Sequence, residues 1–319
     1  MIFENIRMHL MKKILLFFTL LKETFNEFME DNGLKLSAAL SYYTMFSLAP
    51  MLLVIISLLT FFYGEQDVQS DLFAQISTLV GEGVATQLQE IIQNAELSNK
   101  SGVAAAIGLI TLLIGATGVF AEIQDSINFI WNIKAKPKKG WVYYLINRLL
   151  SFSIILTLGF LLLVFLIINA MADMLGNQIA KYFSEGAFIL LYIVNMVLVF
   201  GVITALFTVI FKVLPDGKLR WKECLVGAGF TSVLFLIGKF GISYYIGKSN
   251  LGAAYGASAS IIILLTWIYY SSIILYFGAE FTKVYARMDG RGIAPNRNAV
   301  LVERQEVDTI VNPGTPPMR

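Results

Sequence analysis

Four charged residues fall inside, or at the ends of, long apolar stretches of this 319-residue chain: Glu122, Asp125, Lys239 and Glu280. Charges at membrane depth are costly, so they face protein or a wet cavity and mark candidate sites. Carboxylates placed there either bind a substrate or a coupling proton, or close a structural ion-pair network. Gly108, Thr111, Gly115, Gly118, Glu122 and Asp125 step by three or four and share one helical face. Small residues on that face let a second helix come close, and the face ends in two acids. The same stripe also reads as plain packing whose acids meet backbone or nearby Lys and Arg. Thr266, Tyr269, Ile273, Tyr276 and Glu280 repeat the pattern. Glu122, Asp125 and Glu280 are therefore expected at one depth, near Arg148, Lys212 and Arg220. Lys239 lies about 22 Å along its stretch from Cys224, so Asn169, Asp173 and Asn195 suit it better than Glu280. It faces either a polar cavity or, by snorkelling, the outer interface.

The elements that must position these residues are six apolar stretches, approximately 38–62, 103–125, 149–170, 187–211, 224–246 and 258–281. Each approaches or exceeds the ~20 residues a helix needs to cross ~30 Å of hydrocarbon. Backbone in lipid must satisfy its own hydrogen bonds, so stretches of this length predict helices. Composition agrees: 57% of residues are hydrophobic and 14% charged, against ~25% charged in soluble domains. Lys and Arg number five before the first stretch, five after the second, four after the fourth and six after the sixth. The opposite segments hold only Lys100, Lys181 and Lys248. The positive-inside rule then places both termini in the cytoplasm. A net charge of +2 spread over four segments excludes a basic nucleic-acid surface. Cys224, the lone cysteine, forms no intramolecular disulfide.

Residues 1–35 start like a signal peptide, with Lys12-Lys13 before Ile14–Leu21, but lack a small-residue cleavage site. Ile14, Phe18, Leu21, Phe25 and Phe28 recur at helical spacing. They predict a helix in the cytoplasmic membrane interface, or one packed on the inner end of the bundle. The acidic outer segment 64–102 reads as two short amphipathic helices around the Gly81-Glu82-Gly83 hinge. Pro50 should kink the first span, and Gly227, Gly229, Gly238, Gly241 and Gly247 allow bending or close packing in the fifth. Residues 1–289 are expected to form one domain, and the Pro-, Gly- and Asn-rich 290–319 a disordered cytoplasmic tail.

Several blocks, in order over about residues 30–285, resemble the YihY/BrkB family of bacterial inner-membrane proteins. They are Asn32-Gly33 through Ser41-Tyr42-Tyr43 with Ser47-Leu48-Ala49-Pro50; Asn128-Phe129-Ile130-Trp131-Asn132; Leu214-Pro215 with Arg220-Trp221; Gly238-Lys239 through Tyr244-Tyr245; Ala254-Tyr255-Gly256; and Phe277-Gly278-Ala279-Glu280. The resemblance implies a six-helix inner-membrane protein linked to envelope integrity, serum resistance and lipid or lipopolysaccharide export. Members have also carried a ribonuclease BN name. The residues do not support that activity here: His9 is the only histidine, and no His/Asp cluster exists for nuclease chemistry.

The expectation is an all-α, six-transmembrane-helix bundle with cytoplasmic N- and C-termini and short amphipathic extramembrane helices. It is a non-enzymatic inner-membrane protein that handles or transports a lipid or other amphiphile; the alternative is a scaffold for an envelope complex. Candidate substrate-binding residues are Lys239, Glu122, Asp125, Glu280, Asn128 and Tyr255, with no catalytic residue, metal or cofactor. Expected partners are membrane lipids, a lipopolysaccharide precursor or phospholipid, or an envelope protein, and no nucleic acid. No nucleotide-binding loop occurs, so ATP is not expected to be used directly.

Overall fold

The computed structural model describes residues 2–47, 77, 85, 86, 89, 118–136, 186–248 and 259–303, with side chains at all of these except 2–10, 186–192, 243, 246, 247 and 260. Its helices are α1 (Ile2–Glu30), α2 (described over 33–47), α3 (described over 118–130), α4 (Gly186–Val213), α5 (Trp221–Lys248) and α6 (Ala259–Met288). Four very short strands sit between and after them: β1 (Ile133–Ala135), β2 (Gly217–Lys218), β3 (Ala294–Pro295) and β4 (Ala299–Leu301). The third apolar stretch, Pro50, Arg148, Asn169, Asp173, Gly247, Tyr255 and 304–319 lie outside the described residues or their described side chains. Of the outer segment only Ser77, Ala85, Thr86 and Gln89 are described, all helical.

Among the described residues, three helices are long and apolar enough to cross a membrane, over Ile193–Val213, Trp221–Ile242 and Ile261–Met288. They correspond to the fourth, fifth and sixth apolar stretches. Their outer faces suit lipid. Ile193, Val194, Met196 and Val197 on α4 are exposed, as are Val233, Ile237 and Phe240 on α5. Exposed Trp221 starts α5 and exposed Tyr244 and Tyr245 end it. These aromatics lie about 35 Å apart at 1.5 Å per residue, the spacing of the two interfaces where Trp and Tyr collect.

α5 and α6 pack antiparallel through glycine. A side chain at Gly227 would collide with Thr282, and one at Gly278 with Thr231. Each threonine hydroxyl is the atom nearest the facing glycine and is satisfied along its own helix: Thr231 donates to the Gly227 carbonyl and Thr282 to the Gly278 carbonyl, both at 2.7 Å. The two Gly-x-x-x-Thr segments therefore interlock reciprocally, glycine against threonine, as helices in lipid need in order to approach. Gly238 makes the same kind of notch for Tyr270, whereas Gly229 and Gly241 face open space. Glycine in α5 thus serves close packing at specific turns.

At one end of the bundle the connections are tied together. β1 pairs antiparallel with β4, Ile133 opposite Leu301, and β2 with β3, Gly217 opposite Pro295. The expected disordered tail is thereby corrected as far as 303. Gly290 and Gly292 take left-handed φ of 80° and 61°, turning the chain back so that two short strands reach loops far away in sequence. The main core lies beneath: Ile127, Ile130, Trp131, Phe211, Leu219, Cys224, Tyr276 and Ala279 are buried together.

Candidate functional site

Glu23 and Glu27 of α1 and Asp31 just past its end lie one turn apart, and α6 carries Glu280, Lys283 and Arg287. The two helices meet along these rows. Lys283 Nζ lies 2.5 Å from Glu280, 2.9 Å from Glu27 and 3.2 Å from Asp31. It also donates to the Ile130 carbonyl at 2.8 Å. That carbonyl belongs to the last turn of α3, where a cation complements the helix dipole. Arg287 pairs with Glu27 at 2.5 Å and Glu23 at 3.1 Å. Lys283 is 12% exposed and Glu280 fully buried, whereas Arg287 is 53% exposed. The inner pairs are therefore desolvated and the outer one is wet. Burial alone would raise the Glu27 carboxyl, but Lys283 and Arg287 override it and hold it below the ordinary carboxylate value.

The knot contains more acceptors than donors. An ammonium has three N–H groups, yet Lys283 faces three carboxylates and a carbonyl. Glu280 approaches Lys283 as an ion pair without hydrogen-bond geometry, and neither of its oxygens accepts a well-formed hydrogen bond.

One turn earlier on α6, buried Tyr276 meets the acids of α3. Ser126 donates to Glu122 at 3.1 Å. The Tyr276 hydroxyl faces Ser126 but lacks a hydrogen bond of good geometry, and Glu122 and Asp125 are its charged neighbours. Asp125 itself is exposed and near Asp216. The three acids expected in one cluster thus occupy two: Glu122 and Asp125 around Tyr276, and Glu280 with Lys283, Asp31 and Glu27. Of the bases expected nearby, Lys212 acts elsewhere. Lys212 caps the Leu219 carbonyl and sits 5.5 Å over the Trp221 ring. The Arg220 N–H, at the start of α5, is bonded by Glu223 at 2.9 Å.

Asn128 is buried, and its carboxamide is engaged at both ends. Nδ2 donates to the Asp216 carboxylate at 2.9 Å and Oδ1 accepts the Asp216 N–H at 2.8 Å. Gln124 adds a bond to the same carboxylate at 3.2 Å, and the Asp216 carbonyl accepts the Asn296 N–H at 2.8 Å. Trp131, also buried, donates to the Ala279 carbonyl at 3.0 Å. Lys239 is half-buried on α5, and Asn195 is exposed on α4. Neither belongs to these clusters.

Sequence reading missed Glu27, Asp31, Lys283, Arg287 and Asp216. The signal existed: acids at i, i+4 and i+8 along one segment, and bases at i+3 and i+7 from Glu280 on another. Among the described residues no three His, Cys, Asp or Glu side chains are grouped as metal ligands.

An assembly of apolar, membrane-length helices closed at one end by buried ion pairs defines a helical membrane protein. Residues 24–300 match the family described as "Virulence factor BrkB", and the chain belongs to that family. Similar proteins include the UPF0761 membrane protein of Pseudoalteromonas atlantica, 28% identical over 80% of this chain and 82% of that one. The UPF0761 membrane protein of Pseudomonas aeruginosa is 30% identical over 80% of this chain, which spans only 59% of its length. YfkH of Bacillus subtilis, named ribonuclease-like, is 26% identical over 83% of this chain and 94% of that one. No solved structure matches the chain.

Proposed function

We propose that this protein is a six-span, non-enzymatic component of the bacterial inner membrane, with both termini cytoplasmic. In this reading it handles or moves a lipid or other amphiphile and contributes to envelope integrity. The supporting observation is the over-subscribed Lys283. Three carboxylates and a carbonyl surround three N–H groups, and Glu280 is left without a well-formed hydrogen bond, so Lys283 has a further partner to turn to. A part that must open and close for cargo needs such alternatives; a static clamp does not. Glu280, and with it Glu122 and Asp125 around Tyr276, forms the polar lining of this reading, with Lys239 and Tyr255 as its outer members.

The second reading is a scaffold for an envelope complex. It is favoured by the strand-tied end and by the complete engagement of Asn128 with Asp216.

Glu280→Gln separates the readings, because it keeps shape while removing charge. The purified protein is reconstituted with a fluorescent phospholipid, and transfer between leaflets is followed beside its melting temperature. Lipid handling expects transfer above protein-free vesicles, and several-fold slower transfer in Glu280→Gln at unchanged abundance. Transfer no faster than in empty vesicles, together with normal detergent resistance of cells carrying Glu280→Gln, would leave the scaffold.

A further inference from the structure

α1 has two halves in different surroundings. From Leu20 onward it is docked: Leu20, Thr24 and Phe28 are buried, and Leu20 joins Phe281 and Val284 of α6. Before that, five consecutive apolar side chains, Ile14 to Phe18, are all exposed, Leu15 at 70% and Phe18 at 64%. Five successive residues cover every side of a helix, since each advances it by about 100°. A single protein partner covers one side; an apolar medium covers all of them. The apolar run Ile14–Leu21 is only about 12 Å long, far short of the ~30 Å hydrocarbon core. It can therefore enter a membrane surface but not cross it. Exposed Lys12 and Lys13 stand before the run and exposed Lys22 after it, a charge pattern complementary to anionic headgroups. Phe25 and Met29 farther along α1, and Tyr42 and Phe46 of α2, are exposed as well.

We propose that residues 11–19 form an anionic-lipid anchor, embedded in the headgroup region of the bilayer that holds the bundle. The docked half fixes the anchor to the end of α6 that carries Lys283 and Arg287. Headgroup composition would thereby bear on the segment that supplies Glu27 and Asp31 to the knot.

The test uses the full chain with Cys224→Ser and Phe17→Cys, labelled with a polarity-sensitive fluorophore. It is reconstituted in phosphatidylcholine vesicles with and without phosphatidylglycerol. Nitroxide-bearing lipids serve as quenchers. The anchor expects blue-shifted emission that lipid nitroxide quenches in phosphatidylglycerol vesicles. Each lysine near an anionic surface contributes roughly fivefold in partitioning. Lys12→Gln with Lys13→Gln, two exposed positions outside every ion pair described above, therefore shifts the buried-to-free ratio of the label roughly 25-fold toward water. Water-like, unquenched emission in both vesicles overturns the proposal. So does self-quenching that rises with protein density without lipid quenching, which would make the occupant a second copy of the chain. Equal lipid quenching with and without phosphatidylglycerol removes the anionic preference and overturns it as stated.

Discussion

α6 is held by two neighbours in opposite ways. Against α5 it is held by shape: Gly227 and Gly278 each receive the other helix's threonine, with no charge involved. Against α1 it is held by charge: Lys283 and Arg287 meet three carboxylates on and just past α1. The difference follows from the solvent. Lipid is as apolar as leucine, so burial gives no drive for helices to associate there, and close backbone approach must supply it. Toward the end of α6 the facing side chains of α1 are polar and partly exposed, and charge can be used, provided each buried member is paired. One helix thus changes its mode of adhesion over about one and a half turns, between Gly278 and Lys283.

The strongest way to break the contrast is Lys283→Met. It would strand Glu280 and Asp31 without their cation and leave Glu27 with Arg287 alone. Removing one partner of a buried pair typically costs about 3–5 kcal/mol. We expect a large fall in melting temperature in detergent; a fall no larger than that of Arg287→Gln would mean that burial of the knot is unimportant.

Next comes the glycine seam. Gly227→Val forces a side chain into Thr282, an overpacking cost of about 1–3 kcal/mol, whereas Gly229→Ala meets open space and is expected to be neutral or mildly stabilising. Thermal unfolding of the two variants should differ in sign. Thr282→Ala should recover part of the Gly227→Val loss, because the pair is in contact.

A pH titration sharpens the charged side. The Glu27 carboxyl is depressed below 4.5 in the folded protein. Its contribution is therefore fully present above that unfolded value and is lost as pH falls through the folded one. Melting temperature should be insensitive to Glu27→Gln in its slope above about pH 5. The variant should lose less than the wild type on further acidification. Equal slopes below pH 4.5 would show that Glu27 has no special pairing.

The smallest effect belongs to Arg287→Gln. More than half exposed, Arg287 is worth about 0–1 kcal/mol, and what it gives should vanish in high salt. A loss approaching that of Lys283→Met would erase the distinction between the desolvated and wet halves of the knot.

What could be read from the sequence divides along the same line. The fourth, fifth and sixth spans were legible because hydropathy over about twenty residues is a local signal. The end of the sixth was not. Its apolar character stops at Phe281, but α6 runs to Met288, and the extra two turns carry Lys283 and Arg287. Reading the acids of α3 and α6 at one depth was reasonable. Which neighbour each acid faced depended on helix rotation, and that is set by contacts such as Trp131 with the Ala279 carbonyl. Asp216 and Asn128 are 88 residues apart, beyond any periodicity. The strands after Gly290 were hidden because two or three residues leave no pattern, and their partners lie in loops earlier in the chain.

The pairing of Ile133 with Leu301 has a consequence for how the protein is made. β1 leaves the ribosome long before β4 does; at 5–20 residues per second the interval is roughly ten to thirty seconds. Throughout that time β1 presents an unpaired edge. A chain cut short before Ala299 would never cover it. This end of the bundle is therefore the last of the described parts to close, only after all of α6 has been made.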